Sequence, residues 1–184
     1  MQSRKDKNDM KKMFIVTLAL LICLPGCTGL HKYTSQDVVQ RLTANGLPED
    51  SIRVYEEEEY EKVSLYYENM ANAYITVYSK SSDAKKYWEN LEEDYDNIQY
   101  LDEHSAEGYE KYVCDATIKD WIYYDTNLIV KVNISVSCEW PVYVGDDGEE
   151  YYEFGKKVSD VDERNAKEEE AAERLRQLII DSLD

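Results

Sequence analysis

Histidine is nearly absent from this chain. His31 and His104 are the two in 184 residues, and no cluster of His, Cys, Asp and Glu stands at metal-ligand spacing. That argues against a zinc enzyme, whose ion needs three or four such side chains. Basic residues are few: 21 Lys and Arg against 39 Asp and Glu give a net charge of −18. Phosphate backbones need clustered cations, so the balance argues against a nucleic-acid binder. No G-x-S-x-G sequence occurs, so that nucleophile turn is missing. Carboxylates are so abundant that no pair of them singles out glycosidase chemistry. Past Leu24 no stretch is long and apolar enough to cross a membrane. What is present suffices for a core. Apolar residues make up 43%, with 17 Tyr against 2 Phe, which excludes wholesale disorder and suits one domain plus its termini.

The N-terminus is basic, with Arg4, Lys5, Lys7, Lys11 and Lys12 ahead of an apolar run from Phe14 to Leu24. Eleven residues at about 1.5 Å each cover roughly half of a bilayer core. The run suits the apolar region of a secretory signal peptide. It ends in Leu24-Pro25-Gly26-Cys27. Leu three before the Cys, and a small residue just before it, resemble the lipobox of bacterial lipoproteins. Pro25 departs from the commoner small or β-branched residue at its place. The resemblance implies that Cys27 is the lipid attachment site: its thiol receives a diacylglycerol group and a peptidase cuts before it. Residues 1–26 would then be the signal peptide, 27–33 a lipidated tether and 34–184 a single exported domain. Two acyl chains give stable anchoring, so the expected place is the outer face of a bacterial cell membrane.

Residues 1–26 hold five basic and two acidic residues, so the remainder carries 16 against 37 and a net charge of −21. Such a domain is repelled by an anionic lipid surface over a screening length of about 8–10 Å and attracts cationic partners. Simple solubility is the plainer account of the same charge.

Along the exported part, a first helix is expected over Ser35–Asn45, with Thr34 and Asp37 at capping-box spacing and Gly46 as its left-handed stop. Strands follow over Ile52–Tyr55, Val63–Tyr67 and Ala73–Tyr78. A turn at Asn69–Ala71 would set Tyr66 opposite Tyr74 and Leu65 opposite Ile75. Ala84, Tyr87, Trp88, Leu91, Tyr95 and Ile98 recur every three or four residues and predict a second helix from Ser81 or Ser82 to Ile98. Gln99–Glu107 shows no period and reads as a loop. A last helix is expected over Asp160–Ser182, capped by Ser159 and Asp162, with Ala171, Ala172, Leu175, Leu178, Ile179 and Leu183 as its stripe. A hairpin around Asp147-Gly148 precedes it.

Leu128 to Cys138 alternates strictly between apolar and other residues, the pattern of a half-buried strand. Before it, Cys114, Ala116, Ile118, Ile122 and Tyr124 share a face that Asp120 interrupts. A three-residue turn at Asp125-Thr126-Asn127 would pair Tyr124 with Leu128 and bring Cys114 opposite Cys138. That register predicts a Cys114–Cys138 disulfide, which export permits. Two facing free thiols are the alternative.

The order is roughly α-β-β-β-α-β-β-β-α. It predicts an α+β domain, one antiparallel sheet with helices packed on one face. The general layout resembles that of small exported bacterial lipoproteins, a likeness that carries no functional residue over.

Two features offer binding surfaces. Tyr66, Tyr74, Tyr78, Trp121 and Tyr123 point away from the aliphatic faces of their strands. If that face is open, its rings can stack on a protein, peptide or glycan ligand; if helices cover it, they are core. Asp146, Asp147, Glu149 and Glu150 crowd a hairpin tip, where Ca²⁺ would relieve the repulsion of opposed carboxylates; a solvated tip is the alternative. Catalysis has little support, since neither histidine stands beside a nucleophile motif. The expected function is therefore a non-catalytic, membrane-anchored binding module. The alternative, a cell-envelope hydrolase, would show a deep pocket with His104 beside a carboxylate.

Overall fold

The alternating segment forms the central part of a seven-stranded sheet. The computed structural model describes residues 33–111, 116–138, 140–153 and 155–184. Tyr33–Asp184 forms one unit. Its elements are α1 (Ser35–Ala44), β1 (Ile52–Glu56), β2 (Tyr60–Tyr67), β3 (Ala71–Tyr78), α2 (Ser81–Glu89), β4 (Asn97–Tyr100), β5 (Ser105–Lys111), β6 (Ala116–Asp125), β7 (Leu128–Cys138), β8 (Val142–Val144), β9 (Glu150–Tyr152) and α3 (Val158–Leu183). The strands of the large sheet lie in the order β1-β2-β3-β7-β6-β5-β4, every neighbour antiparallel, while β8 and β9 form a separate ribbon. The class is α+β, and the element order is roughly the expected one.

Both faces of the sheet are used. On the first, Val63, Leu65, Ile75, Val130 and Val132 pack under Val38 and Leu42 of α1 and Ala171, Leu175 and Ile179 of α3. The second carries a smaller core of Ile122 and Ile129 with Ala84, Leu91 and Tyr95. Among the described residues α1 and α3 thus share a face, and the short α2 lies on the other. α1 has the expected ends: Thr34 and Asp37 form a reciprocal capping box, and Gly46 takes φ +98°.

The β6–β7 hairpin departs from expectation at its turn. Asp125, not Tyr124, stands opposite Leu128, so the turn has two residues, Thr126 and Asn127. Thr126 takes φ +51°, which costs a β-branched residue of order 1–3 kcal/mol. Asn127 offsets that cost. It is fully buried; its Nδ2 donates to the carbonyls of Tyr33 (3.0 Å) and Tyr78 (2.9 Å), and its Oδ1 accepts the Tyr33 N–H (2.8 Å). These partners lie far away in the chain, so turn chemistry alone could not reveal them.

The shorter turn slips the register by one residue, and a one-residue slip turns every side chain to the other face. Trp121 and Tyr123 therefore join the first core, while Ile122 joins the second beside Tyr124. A bulge between Lys119 and Asp120 leaves Ile134 without a partner, and beyond it Cys138 stands opposite Ala116. Cys114 lies outside the described residues, so the expected Cys114–Cys138 pair does too.

Other departures leave the faces unchanged. Tyr66 faces Asn72 rather than Tyr74, a shift of two that preserves the faces; Glu68 and Asn69 turn the chain at φ +53° and +58°. The helix expected to reach Ile98 stops at Glu89, where the Asn90 side chain donates to the Lys86 carbonyl (2.8 Å). The expected loop beyond it is the β4–β5 hairpin. Its turn is tied by Asp102, whose Oδ1 accepts the N–H groups of His104 and Ser105 at 2.7 Å each. The stripe was sound although the helix was not: Leu91, Tyr95 and Ile98 still reach the second core. Tyr95 rests on Gly108, where a Cβ would come within 2.6 Å of the ring.

α3 begins at Val158 with Lys157 giving no side-chain cap, so the expected Ser159–Asp162 box is not formed. Its stripe is buried as expected apart from Leu178, which is half-buried, and Lys167–Glu163 (2.6 Å) and Arg174–Glu170 (2.7 Å) both form. Arg174 also reaches Glu68 (2.6 Å), bracing the strained β2–β3 turn against the helix.

Replacing Asn127 with Ala leaves the Tyr33 N–H and two buried carbonyls without partners. The expected loss is about 3 kcal/mol in urea unfolding. A loss under about 0.5 kcal/mol would show that the turn does not depend on this side chain.

Candidate binding cleft on the second sheet face

Beyond the edge of α2 the second face opens into a cleft of about 560 Å³. Period-two alternation brings Tyr60 and Lys62 of β2, Tyr74, Thr76 and Tyr78 of β3, Lys131 of β7 and Asp120 of β6 to this face. Tyr87 of α2 and Asp94, just past it, close one side, and Glu110 of β5 lies on another.

Lys131 is central. Its Nζ is 3.6 Å from Asp94 Oδ2 and sits 5.0 and 5.1 Å from the ring centres of Tyr87 and Tyr95. Tyr87 donates its hydroxyl proton to Asp94, and Tyr95 donates to Asp120 at 2.8 Å. Lys62 repeats the theme on the next strands, its Nζ 4.2 Å from the Tyr74 ring centre. Each ammonium lies against the negative face of a tyrosine ring. Tyr60 and Tyr78 meet at 5.9 Å with planes tilted by 54°.

The titrating groups feel this burial. Burial first, then the Asp120 charge and hydrogen bond, push the Tyr95 hydroxyl well above the usual phenol range. Burial likewise raises Tyr78, to about 12. Asp120 is pushed above the ordinary carboxylate range by desolvation, against the opposing hydrogen bond of Tyr95 and the charge of Lys131. The charged residue that interrupts an apolar face in the sequence is thus a partner of this cleft.

The five aromatic candidates separate. Tyr74 and Tyr78 line the cleft; Tyr66 is on the same face but half exposed beyond it. Trp121 is 3% exposed in the first core, beneath the Arg176 guanidinium at 5.1 Å, and stacks on Tyr123 at 5.8 Å. The one-residue slip at the β6–β7 turn removes these two from the binding face. Sequence reading missed Lys131, Asp94, Tyr87 and Tyr95 as site residues. The signal available was Asp120, a lone carboxylate within an apolar alternation.

At the β8–β9 tip, Gly145 rather than Asp146 stands across from Glu149, donating its N–H to the Glu149 carbonyl at 2.8 Å. The expected opposition of carboxylates does not arise. Asp147 accepts the Glu149 N–H (3.1 Å) and the Tyr151 hydroxyl (2.7 Å), while Glu150 faces Val144 in the ribbon. Among the described residues no three His, Cys, Asp or Glu gather closely enough to hold a metal ion. His104 has a carboxylate neighbour, Glu103 at 3.6 Å. It is exposed on the β4–β5 turn, its Nδ1 directed at the Tyr124 carbonyl (3.1 Å). Cys27 and His31 lie outside the described residues.

Because folding raises the Asp120 value, the folded chain holds that proton more tightly than the unfolded one. The stability this contributes is full below the ordinary carboxylate value and is lost as pH rises through the raised one. Asp120→Asn has no such loss. Its stability relative to the wild type should rise as pH climbs above the ordinary carboxylate value, read by urea unfolding. An unchanged gap would place Asp120 in open solvent.

No family model matches the chain, and no curated protein does. One solved structure, a GTP binding regulator from Thermotoga maritima, is similar over 55% of this chain and 76% of its own, at 17% identity and a TM-score of 0.34. So slight a likeness carries neither fold nor function to this chain.

Proposed function

We propose that the chain is an exported lipoprotein, anchored through Cys27 at the outer face of a bacterial cell membrane, and that its domain captures a cationic peptide segment without chemistry of its own. The observation that carries the ligand is the seating of Lys131 between two tyrosine rings and a carboxylate. The cleft already holds ammonium groups of its own chain, and its open part offers the same chemistry. Tyr74 is 40% exposed there, and Glu110 lines the same space. A basic side chain can set its charge against the ring face and the carboxylate, and its stem along the tyrosines. The net charge of −21 beyond residue 26 draws such a ligand in. Among protein, peptide and glycan ligands, a basic segment of a peptide or protein fits best, because both ring-facing groups inside the cleft are cations.

The anchor and the ligand are tested separately. Cells fed labelled palmitate should label the wild-type chain and not Cys27→Ser; an unlabelled wild type refutes the anchor. In calorimetric titration of the full-length chain, tetralysine should bind and tetraglutamate should not. Tyr74→Ala and Glu110→Gln should each weaken tetralysine by about fivefold to tenfold. Wild-type affinity in both variants, or equal binding of the two peptides, overturns the ligand assignment.

A further inference from the structure

A larger cavity, about 700 Å³, lies between the β8–β9 ribbon and the first turns of α3, away from the sheet-face cleft. We infer that it is a second binding site, for an acidic saccharide: a sugar ring bearing a phosphate or a carboxylate.

One wall is aromatic. Trp140 is 38% exposed, and Tyr151 and Tyr152 stand beside it. Tyr151 is held in place before any ligand arrives. Its hydroxyl donates to Asp147 (2.7 Å), one ring face stacks on Tyr143 at 5.8 Å, and its edge lies over Gly145, where a Cβ would come within 2.9 Å. Rings held in such a wall can pack against the C–H groups of a sugar.

The other wall is cationic, which is unusual in a chain this acidic. Lys156, Lys157 and Arg164 line it together with Asp160 and Glu168. Arg164 is engaged by Glu168 at 2.7 Å. Among the described residues neither Lys156 nor Lys157 forms an ion pair; the Lys157 ammonium lies 5.8 Å from the Tyr151 ring centre. Two adjacent lysines against one carboxylate leave a positive balance for an anion, and Asp160 and Asn165 can hydrogen-bond sugar hydroxyls. The volume falls within the range of small-ligand sites.

Position favours access. The Tyr33 hydroxyl contacts the Leu183 carbonyl (3.4 Å) at the C-terminal end of α3, whereas this cavity lies at its N-terminal end. The helix has 26 residues and so spans about 39 Å. The cavity therefore stands far from the point where the chain enters the domain. The inference is independent of both the Cys27 anchor and the cationic-peptide cleft.

Calorimetric titration of the full-length chain in dodecyl maltoside tests it, with glucose 6-phosphate, glucuronate, glucose, inorganic phosphate and adenosine monophosphate as probes. Glucose 6-phosphate or glucuronate should bind with a Kd below roughly 1 mM, about tenfold tighter than glucose or phosphate alone. Trp140→Ala and the pair Lys156→Gln with Lys157→Gln should each weaken that binding by about tenfold, and Tyr74→Ala should leave it unchanged. Lys156 is exposed and Lys157 half-buried, neither in a core, so a retained circular dichroism spectrum should accompany the loss. Failure of both acidic sugars to bind, wild-type affinity in the variants, or tighter binding of adenosine monophosphate overturns the assignment.

Discussion

A buried asparagine side chain holds the β6–β7 turn at two residues, and the rest of the domain follows from that length. Asn127 joins the Tyr33 backbone to the end of β3 through three hydrogen bonds, so it clamps the domain's entry point, a central strand and the tightest turn together. Because strand side chains alternate with period two, the turn length decides which face each residue of β6 occupies. With two residues, Trp121 goes under α3 and Asp120 goes to the cleft. With three, the indole would meet solvent and the carboxylate would sit beneath the helix, an uncompensated buried charge.

The second face remains partly open because α2 is short. Asn90 ends it, and the following residues drop into β4 instead of extending over β2 and β3. The uncovered strip bears tyrosines and lysines, and its charges are held in register by neighbouring strands rather than by a loop. Lys131 and Tyr74 face each other across β3 and β7, and Tyr60 and Tyr78 across β2 and β3. A cleft built on strands is rigid, which lowers the ordering cost of any ligand it takes.

Charge is spread unevenly over this acidic domain. Exposed ion pairs along α3 contribute little each, but Arg174 links that helix to the Glu68 turn, where two consecutive non-glycine residues adopt positive φ. Arg176 covers the Trp121 ring that would otherwise border solvent. Lys156 and Lys157 fall beside the ribbon, at the end of α3 opposite Tyr33.

Periodicity alone determined much of this molecule. The α1 capping box, the buried stripe of α3, the two faces of β2 and β3 and the alternation of β7 depend on residues close in sequence, whose geometry is local. The length of the β6–β7 turn and the seating of Tyr95 were decided by partners far along the chain: Asn127 by Tyr33 and Tyr78, Tyr95 by Gly108 and Asp120. The cleft belongs to this second group. Its tyrosines were legible as strand or helix residues. Their meeting with Lys131 and Asp94 depends on a one-residue register, a difference that hydrophobic pattern weighs equally on either side of a turn and that only buried hydrogen bonding resolves.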